Sequence, residues 1–399
     1  MQAGVYIHIP FCRSRCSYCD FATGMYESEL AARYVHAVVS EIAAWREVEE
    51  LSDVDTIYLG GGTPSLLTAA QIEQILKAVR DRFKVLDGAE VTMEINPASI
   101  VSAPPRIAEI SQRKDNSHEP ELSSDKLQQF RRLGINRASF GAQTFDDREL
   151  KQLGRTHSSA DISSTFRQLR EARFENINFD LIAGLPGQTL AGWQRNLDEA
   201  LKLRPEHLSL YLLDVHEGTP LADQIKRGMR PVPDDDLAAE MYSVLIGEVV
   251  AAGYEHYEIS NFCLPGFESR HNTKYWTGAP YYGFGCSAHS YDGERRRWSN
   301  ERDAAKYVGL VENGKSPIVE RTNLTDEDAR SESIFLGLRL MRGVDLQSHR
   351  ARFGKDLLQG HDGELDRLRE AGLIRTDRDV LKLTMRGALL SNEVFAALA

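Results

Sequence analysis

The sequence has no long apolar run and no excess of basic residues. No apolar stretch approaches the roughly 18 residues of a membrane-spanning helix, and the first residues lack the basic-then-apolar pattern of a secretory signal. Acidic residues outnumber basic ones, 59 to 48, which gives a formal net charge of −11. A general nucleic-acid binder would carry a basic patch or stripe instead. We therefore expect a cytoplasmic globular protein that does not bind nucleic acid.

Cysteine is also scarce, with five in 399 residues, which does not suggest a secreted disulfide framework. Three of the five, Cys12, Cys16 and Cys19, form a C-x3-C-x2-C group directly after a short apolar segment. Thiolates spaced in this way indicate an iron–sulfur cluster, usually held by four cysteines, or a zinc site completed by a distant ligand. The isolated Cys263 and Cys286 are predicted to be buried, small apolar residues.

Short strand-like segments alternate with helical segments over the first half of the chain, which implies a parallel sheet with helical crossovers. We predict an α/β fold, a partial (β/α)6 barrel over residues 1–230, with a flat doubly wound sheet as the alternative. Residues 99–124, rich in proline, serine and charge, are predicted to be an insert. The six strands are predicted at 5–9, 55–59, 91–96, 137–140, 176–182 and 207–213.

The second half of the chain has a different pattern. Residues 231–320 are predicted to extend the barrel and to include an aromatic, glycine-rich loop over 254–291. Residues 321–399 are predicted to form a helical domain with a β-hairpin, similar to a winged helix. No basic recognition helix is evident, so we expect this domain to be architectural.

A triple glycine, Gly60-Gly61-Gly62, follows the second strand. Glycine lets the backbone approach a ligand closely, although a plain tight turn has the same composition. The sequence is neither G-x-G-x-x-G nor a P-loop, so it does not indicate a dinucleotide or ATP site. Loops that follow successive strands meet on one rim of a barrel, so the cysteine group and the glycines are predicted to face each other.

Taken together, these motifs resemble the radical S-adenosylmethionine (SAM) family, in the branch that contains oxygen-independent coproporphyrinogen III oxidase. The resemblance covers almost the whole chain except residues 99–124. The matching stretches are Tyr6 to Cys12, the cysteine group, Gly60 to Ser65, Glu94 to Pro97, Gly141 to Phe145, Leu153 to Arg155 and Asp180 to Pro186.

The resemblance implies a [4Fe–4S] cluster on Cys12, Cys16 and Cys19, with one iron left for the amino and carboxylate groups of SAM. It assigns no catalytic residue to the protein. Three residues, by position, would contact that SAM: Tyr6, Gly61 and Glu94. Six more match positions that contact a second SAM in the oxidase: Tyr18, Gly62, Thr63, Gln143, Arg155 and Asp180.

Two departures from the oxidase pattern resemble the HemW-type haem chaperones instead. Phe21 stands where the oxidase has a further cysteine, and the cysteine motif starts close to the first residue. The segment from His271 to Trp276 matches the H-N-x-x-Y-W motif associated with haem in that group. By this resemblance His271 would be an axial ligand of haem iron, and Tyr275 and Trp276 would wall the porphyrin. The alternative is a packed aromatic loop with a hydrogen-bonded histidine.

The function implied by the resemblance is that of a haem chaperone. It would bind haem, the cluster and SAM, and deliver haem to acceptor proteins such as respiratory enzymes. Any membrane association would be peripheral and would come through those acceptors. The first alternative is an oxidoreductase, oxygen-independent coproporphyrinogen III oxidase of porphyrin biosynthesis. The second is a radical SAM methyltransferase or a haem-degrading relative.

Overall fold

The computed structural model describes residues 1–48, 53–97, 123–354 and 362–398. Its centre is a run of seven parallel strands in a sheet of 12, in the order β11-β1-β4-β5-β6-β7-β8. Six of the seven are the strands predicted from the sequence, and they form the predicted partial barrel. The bounds of the seven are β1 (Ala3–Ile9), β4 (Val54–Gly61), β5 (Val85–Ile95), β6 (Arg137–Gln143), β7 (Ile177–Ala183), β8 (His207–Leu212) and β11 (Tyr281–Phe284).

Antiparallel strands extend this sheet at both edges. Separately, the short segments Phe11–Cys12 and Gly24–Met25 pair with each other at the two ends of the cysteine loop. Strands β9 (Glu255–Glu258) and β10 (Asn261–Cys263) continue from β8, whereas β12, β13 and β14 continue from β11. The prediction of a loop over 254–291 is therefore wrong, because this region contains strands and a helix. The remaining strands are β2 (Phe11–Cys12), β3 (Gly24–Met25), β12 (His289–Tyr291), β13 (Arg296–Asn300), β14 (Ile318–Asn323), β15 (Val344–Asp345), β16 (Ile374–Asp377) and β17 (Val380–Leu383).

Helices connect the parallel strands and pack on the outside of the sheet. The spacing of Thr68 and Gln71 in the sequence predicts a capping box, and one is present at the start of the helix Ala69–Arg82. The first eight helices are α1 (Ser28–Ala44), α2 (Ala69–Arg82), α3 (Ser124–Arg132), α4 (Asp147–Gln152), α5 (Ser159–Glu171), α6 (Leu190–Leu203), α7 (Pro220–Lys226) and α8 (Asp235–Ala251). The later ones are α9 (Arg270–Thr277), α10 (Ala304–Glu312), α11 (Asp326–Leu338), α12 (Leu346–Phe353), α13 (Asp362–Glu370), α14 (Met385–Leu389) and α15 (Ser391–Leu398).

The predicted insert over 99–124 lies outside the described residues except at its end. Ser123 and Ser124 belong to the start of α3, where the Ser123 side chain accepts a hydrogen bond from Lys126 N. Helix α3 therefore begins at the end of the predicted range, and the insert itself stays a prediction. A serine at the N-cap has the same composition signal as a polar linker, so the boundary is not visible in the sequence alone.

Side chains alternate between the two faces of each strand, and the two faces differ in polarity. On β1, Val5 and Ile7 are fully buried against the helices, whereas Tyr6 and His8 point to the inside of the barrel. The outer layer is a continuous apolar core. The inner layer is polar, so it is suited to bind a polar ligand rather than to add to the core.

The chain after residue 323 forms a helical domain around the three-stranded sheet β15-β17-β16. The hairpin predicted here is confirmed as β16 and β17. The domain contacts the barrel through Arg339, whose guanidinium pairs with the fully buried carboxylate of Glu258 at 2.7 Å. No helix in the described part of the chain is both long and apolar enough to cross a bilayer.

Candidate functional site

The cysteine loop leaves the carboxyl end of β1 and is held on both sides by backbone hydrogen bonds. Ser17 N donates to Leu153 O (3.0 Å), and Leu221 N donates to Ser17 O (2.8 Å). Cys12, Cys16 and Cys19 are half-buried free thiols. The loop is thus fixed by segments at the ends of α4 and α7 that lie far away in the sequence.

The triple-glycine loop packs directly against the cysteine loop, as predicted. Gly62 N donates to Ile9 O (2.8 Å), and Thr63 N donates to Phe11 O (2.7 Å). A Cβ added to Gly62 would lie 2.6 Å from Phe11 O, so a side chain cannot be accommodated. The glycine at this position is required by the protein's own backbone.

Arg155 connects the cysteine loop to β6. Its buried guanidinium donates to Cys16 Sγ (3.2 Å) and to Gly141 O (2.8 Å). Burial raises the pKa of the Cys12 thiol to about 11 and also raises that of Cys19. Iron binds the thiolate, so a cluster would displace these thiol protons and place its negative charge beside Arg155.

The donor set fits a cluster with one open iron. The other two cysteines are buried elsewhere: Cys286 Sγ lies 3.5 Å from Tyr34 OH, and Cys263 packs against Tyr257. Among the residues that the structure describes, no three ligating side chains gather around a single metal position. A cubane does not require this, because each thiolate binds a different iron atom.

Glu94 and Asp180 place two carboxyl groups on the inner face of the barrel. Glu94 accepts hydrogen bonds from Tyr58 OH and Gly61 N, both 2.9 Å, and Asp180 accepts from Asn178 Nδ2 at 2.8 Å. Burial raises the pKa of Glu94 to about 7 and that of Asp180 to about 6. A cationic ligand would favour both ionised forms and lower both pKa values.

Tyr6 and His8 form a second link between β1 and the glycine loop. His8 Nε2 lies 2.9 Å from Ala22 O, a carbonyl that can only accept, so Nε2 carries the proton and Nδ1 accepts from Tyr6 OH at 3.0 Å. The ring also lies beneath Gly61, where an added Cβ would be 2.5 Å from His8 Cε1. His8 is not one of the residues predicted at the site, but its packing against Gly61 supports the geometry of the glycine loop.

The residues predicted to contact a second SAM lie around the same end of the barrel. Tyr18 packs in a small cluster with Leu153, Ile182 and Leu185. Burial raises the pKa of Tyr18 above its usual range. The charge of Arg155 lowers this pKa, whereas those of Cys16, Cys19 and Asp180 raise it. Gln143 is buried at the end of β6 with φ 65°, a backbone conformation that costs about 1–3 kcal/mol for a non-glycine residue.

The H-N-x-x-Y-W segment is the helix α9 and closes the opposite end of the barrel. Glu90 accepts from Arg270 N and His271 N, both 3.1 Å, and Asp55 pairs with Arg270 and Lys274. Both acids lie near the amino-terminal ends of the parallel parts of β4 and β5, whereas the cysteines follow the carboxyl end of β1. The prediction of a loop here is wrong, and the segment is separated from the cysteine loop by the polar interior.

His271 is buried, with 1% of its surface exposed. Its Nδ1 lies 2.9 Å from Thr56 Oγ1 and its Nε2 lies 2.9 Å from Tyr275 OH. Burial lowers its pKa to about 3, so the ring is neutral. With both nitrogens engaged, coordination of iron would require one of these hydrogen bonds to break, and the assignment of His271 as a haem ligand stays a prediction.

Trp276 lies on a different side of α9 from His271 and Tyr275. The latter two are four residues apart and share the face that points into the barrel. Trp276 instead stacks with the Arg339 guanidinium, 4.4 Å from its ring centroid, at the boundary with the C-terminal domain. Once the segment is known to be helical, the four-residue spacing of His271 and Tyr275 shows that these two share a face and that Trp276 lies on another.

Comparisons with known proteins agree with this architecture. The model of the radical SAM superfamily matches residues 6–200, and that of the HemN C-terminal domain matches residues 324–390. The structure of coproporphyrinogen III oxidase (HemN) from Escherichia coli covers 100% of this chain and 90% of its own, with a TM-score of 0.81 and 23% identity. Fold and site thus define a radical SAM protein.

The full-length relatives are more specific. The haem chaperone HemW of Bacillus subtilis is 35% identical over 393 residues, 98% of both chains. The mitochondrial radical S-adenosyl methionine domain-containing protein 1 of Bos taurus is 32% identical over 411 residues, 100% of this chain and 87% of its own. The chain belongs to the HemW family of radical SAM proteins.

Proposed function

We propose that this protein is a cytoplasmic haem chaperone that carries a [4Fe–4S] cluster on Cys12, Cys16 and Cys19. It binds haem and transfers it to acceptor proteins such as respiratory enzymes. The full-length similarity to HemW of Bacillus subtilis supports this proposal. The observation that carries it is the distance in the fold between the two motifs, because the cysteine loop and α9 lie at opposite ends of the barrel.

This arrangement supports a chaperone rather than an oxidase. When bound, the cluster and SAM supply an electron and a carbon-centred radical, which acts only on an atom held against it. The inner face of α9 packs against the rings of Tyr6 and Tyr58 through His271, so a haem bound on the outer side of this helix would not be positioned as the substrate of such a radical. Haem can therefore be carried without being altered.

The residues around the cysteine loop are suited to hold SAM at the open iron. Glu94 and Asp180 provide carboxylates for a ligand that carries ammonium and sulfonium charges. Gly61 and Tyr6 line the same end of the barrel, and Arg155 orients Cys16. The proposal also includes contacts to a second SAM molecule by Tyr18, Gly62, Thr63, Gln143, Arg155 and Asp180.

Cluster binding is tested by replacing Cys16 with alanine. We expect the variant to lose nearly all bound iron and sulfide after anaerobic reconstitution, because two thiolates leave the cubane with too few ligands. The measurement is iron and acid-labile sulfide per chain together with the visible absorbance. Cys263→Ala, which removes a thiol far from the loop, is expected to retain the cluster. A cluster that survives in Cys16→Ala would contradict the assignment.

Haem binding and oxidase activity are tested separately. We expect the reconstituted protein to bind haem in a Soret titration. Incubated anaerobically with reductant, SAM and coproporphyrinogen III, it is expected to form no protoporphyrinogen. Formation of protoporphyrinogen would instead support the oxidase alternative, and the absence of haem binding would refute the chaperone proposal.

A further inference from the structure

A cleft of about 340 Å³ separates α9 from the C-terminal domain, within the usual size range of small-molecule sites. It lies on the outer side of α9, away from the barrel interior. Its walls come from the end of α9, from β12 and β13, and from α11 and α12 of the C-terminal domain. The side chains that matter here are Trp276, Leu336, Leu340, Arg342, Arg352 and Phe353.

One part of the cleft wall is apolar and aromatic. Trp276 contributes from α9, Leu336 and Leu340 contribute from α11 and the residues after it, and Phe353 contributes from α12. His349 is buried beside Phe353, with ring centroids 4.7 Å apart. A flat aromatic ligand could cover the leucines and pack against Trp276 and Phe353, whose rings also contact the guanidinium groups of Arg339 and Arg352.

Another part of the wall is cationic. Arg342 and Arg352 are exposed at the cleft, and within the described residues neither forms an ion pair. Arg352 reaches towards α9, since a Cβ added at Gly278 would lie 3.4 Å from its Nη1. Two guanidinium groups can bind two carboxylates through paired hydrogen bonds.

The acidic residues of the cleft are already engaged. Glu332 pairs with Arg297 at 2.5 Å, and Asp345 caps α12 by accepting from Ser348 N at 2.6 Å. The charged side chains of the lining are thus three arginines, Arg297, Arg342 and Arg352, against two carboxylates, which leaves the cleft with one net positive charge in a chain whose net charge is −11. This lining favours an anionic ligand with a flat apolar body.

We propose that haem binds in this cleft, with its ring against Trp276 and Phe353 and its two propionates on Arg342 and Arg352. This inference rests on the proposed chaperone function and gives it a location other than the buried His271. The site also suits transfer, because it opens between two parts of the protein and the arginines hold the ligand at an exposed edge.

The test is a Soret titration of the full chain with haem, comparing wild type with the double variant Arg342→Glu/Arg352→Glu. We expect the variant to bind haem at least about tenfold more weakly, because charge-assisted hydrogen bonds become repulsion. The matched control is Arg367→Glu/Arg375→Glu, which changes the net charge equally at two exposed arginines of the same domain. The control is expected to bind within about threefold of wild type.

Haem dimethyl ester separates the role of the carboxylates from that of the ring. We expect wild type to bind the ester about as weakly as the double variant binds haem, and the double variant to bind both alike. Ser348→Trp, which places an indole in the cleft, is expected to block haem and ester together. Equal melting temperatures of the variants would exclude misfolding as the cause.

The outcomes distinguish this inference from the function on which it rests. If wild type binds no haem, the chaperone function itself is wrong. If wild type binds haem and both Arg342→Glu/Arg352→Glu and Ser348→Trp bind it equally well, the function stands and the cleft is not the site.

Discussion

Replacing Gly61 with alanine is expected to destabilise the protein and to abolish cluster retention. Gly61 has φ +113°, and an added Cβ would lie 2.5 Å from the His8 ring. Backbone strain of about 1–3 kcal/mol adds to overpacking of about 1–3 kcal/mol, for a loss of about 2–6 kcal/mol. Chemical denaturation followed by circular dichroism measures the stability, and iron per chain measures the cluster.

The loss of the cluster follows from what Gly61 touches. Its N–H donates to Glu94, and its neighbours Gly62 and Thr63 bond to the backbone that leads into Cys12. A shift that relieves the clash with His8 therefore moves both the carboxylate and the cysteine loop. His8 cannot yield easily, since both of its ring nitrogens are hydrogen-bonded.

Gly88→Ala is the matched control for this substitution. Gly88 also has a positive φ, +71°, but an added Cβ meets nothing within 4 Å. We expect the Gly88→Ala variant to lose only about 1–2 kcal/mol of stability, the cost of the left-handed backbone conformation, and to retain its iron. Equal losses for the two variants would show that the contact with His8 does not matter.

The sequence predicts best where the signal is local and repeated. Most of the six barrel strands are rich in apolar residues, and they precede conspicuous loops. The capping box at Thr68 and Gln71 marks a helix start. The seventh parallel strand, β11, has only four residues, Tyr-Tyr-Gly-Phe, so no alternation is visible. Helix α9 was missed for a similar reason, because eight mostly polar residues give no apolar periodicity.

The site could be predicted as a set of residues but not as a set of contacts. The spacing of the cysteines and their resemblance to a known family locate Cys12, Cys16 and Cys19. Arg155 reaches Cys16 across 139 residues, and no local pattern reveals that pairing. The motif around His271 likewise gives no sign that the ring is buried, because burial there depends on Thr56 and Asp55 of β4 and on Glu90 of β5.

Replacing Asp55 with alanine is expected to cost about 3–5 kcal/mol, because it leaves a buried cation without its counter-charge. The Asp55 and Lys274 side chains are only 10% and 9% exposed, and Arg270 pairs with the same carboxylate. Without Asp55, Lys274 keeps its hydrogen bond to Gln2 O but loses its ion pair. We expect a lower free energy of unfolding in denaturant titrations and faster amide exchange in α9.

Asp53→Ala, two residues earlier, is the control that separates burial from charge. Asp53 pairs with Lys84, but those side chains are 40% and 73% exposed. An exposed pair contributes about 0–1 kcal/mol, so this variant is expected to resemble wild type both in stability and in exchange at α9. If the two aspartates had equal effects, the ion pairs of α9 would not be what holds it against the barrel. A large effect of Asp55→Ala alone would show that this helix is held against the barrel by buried charge.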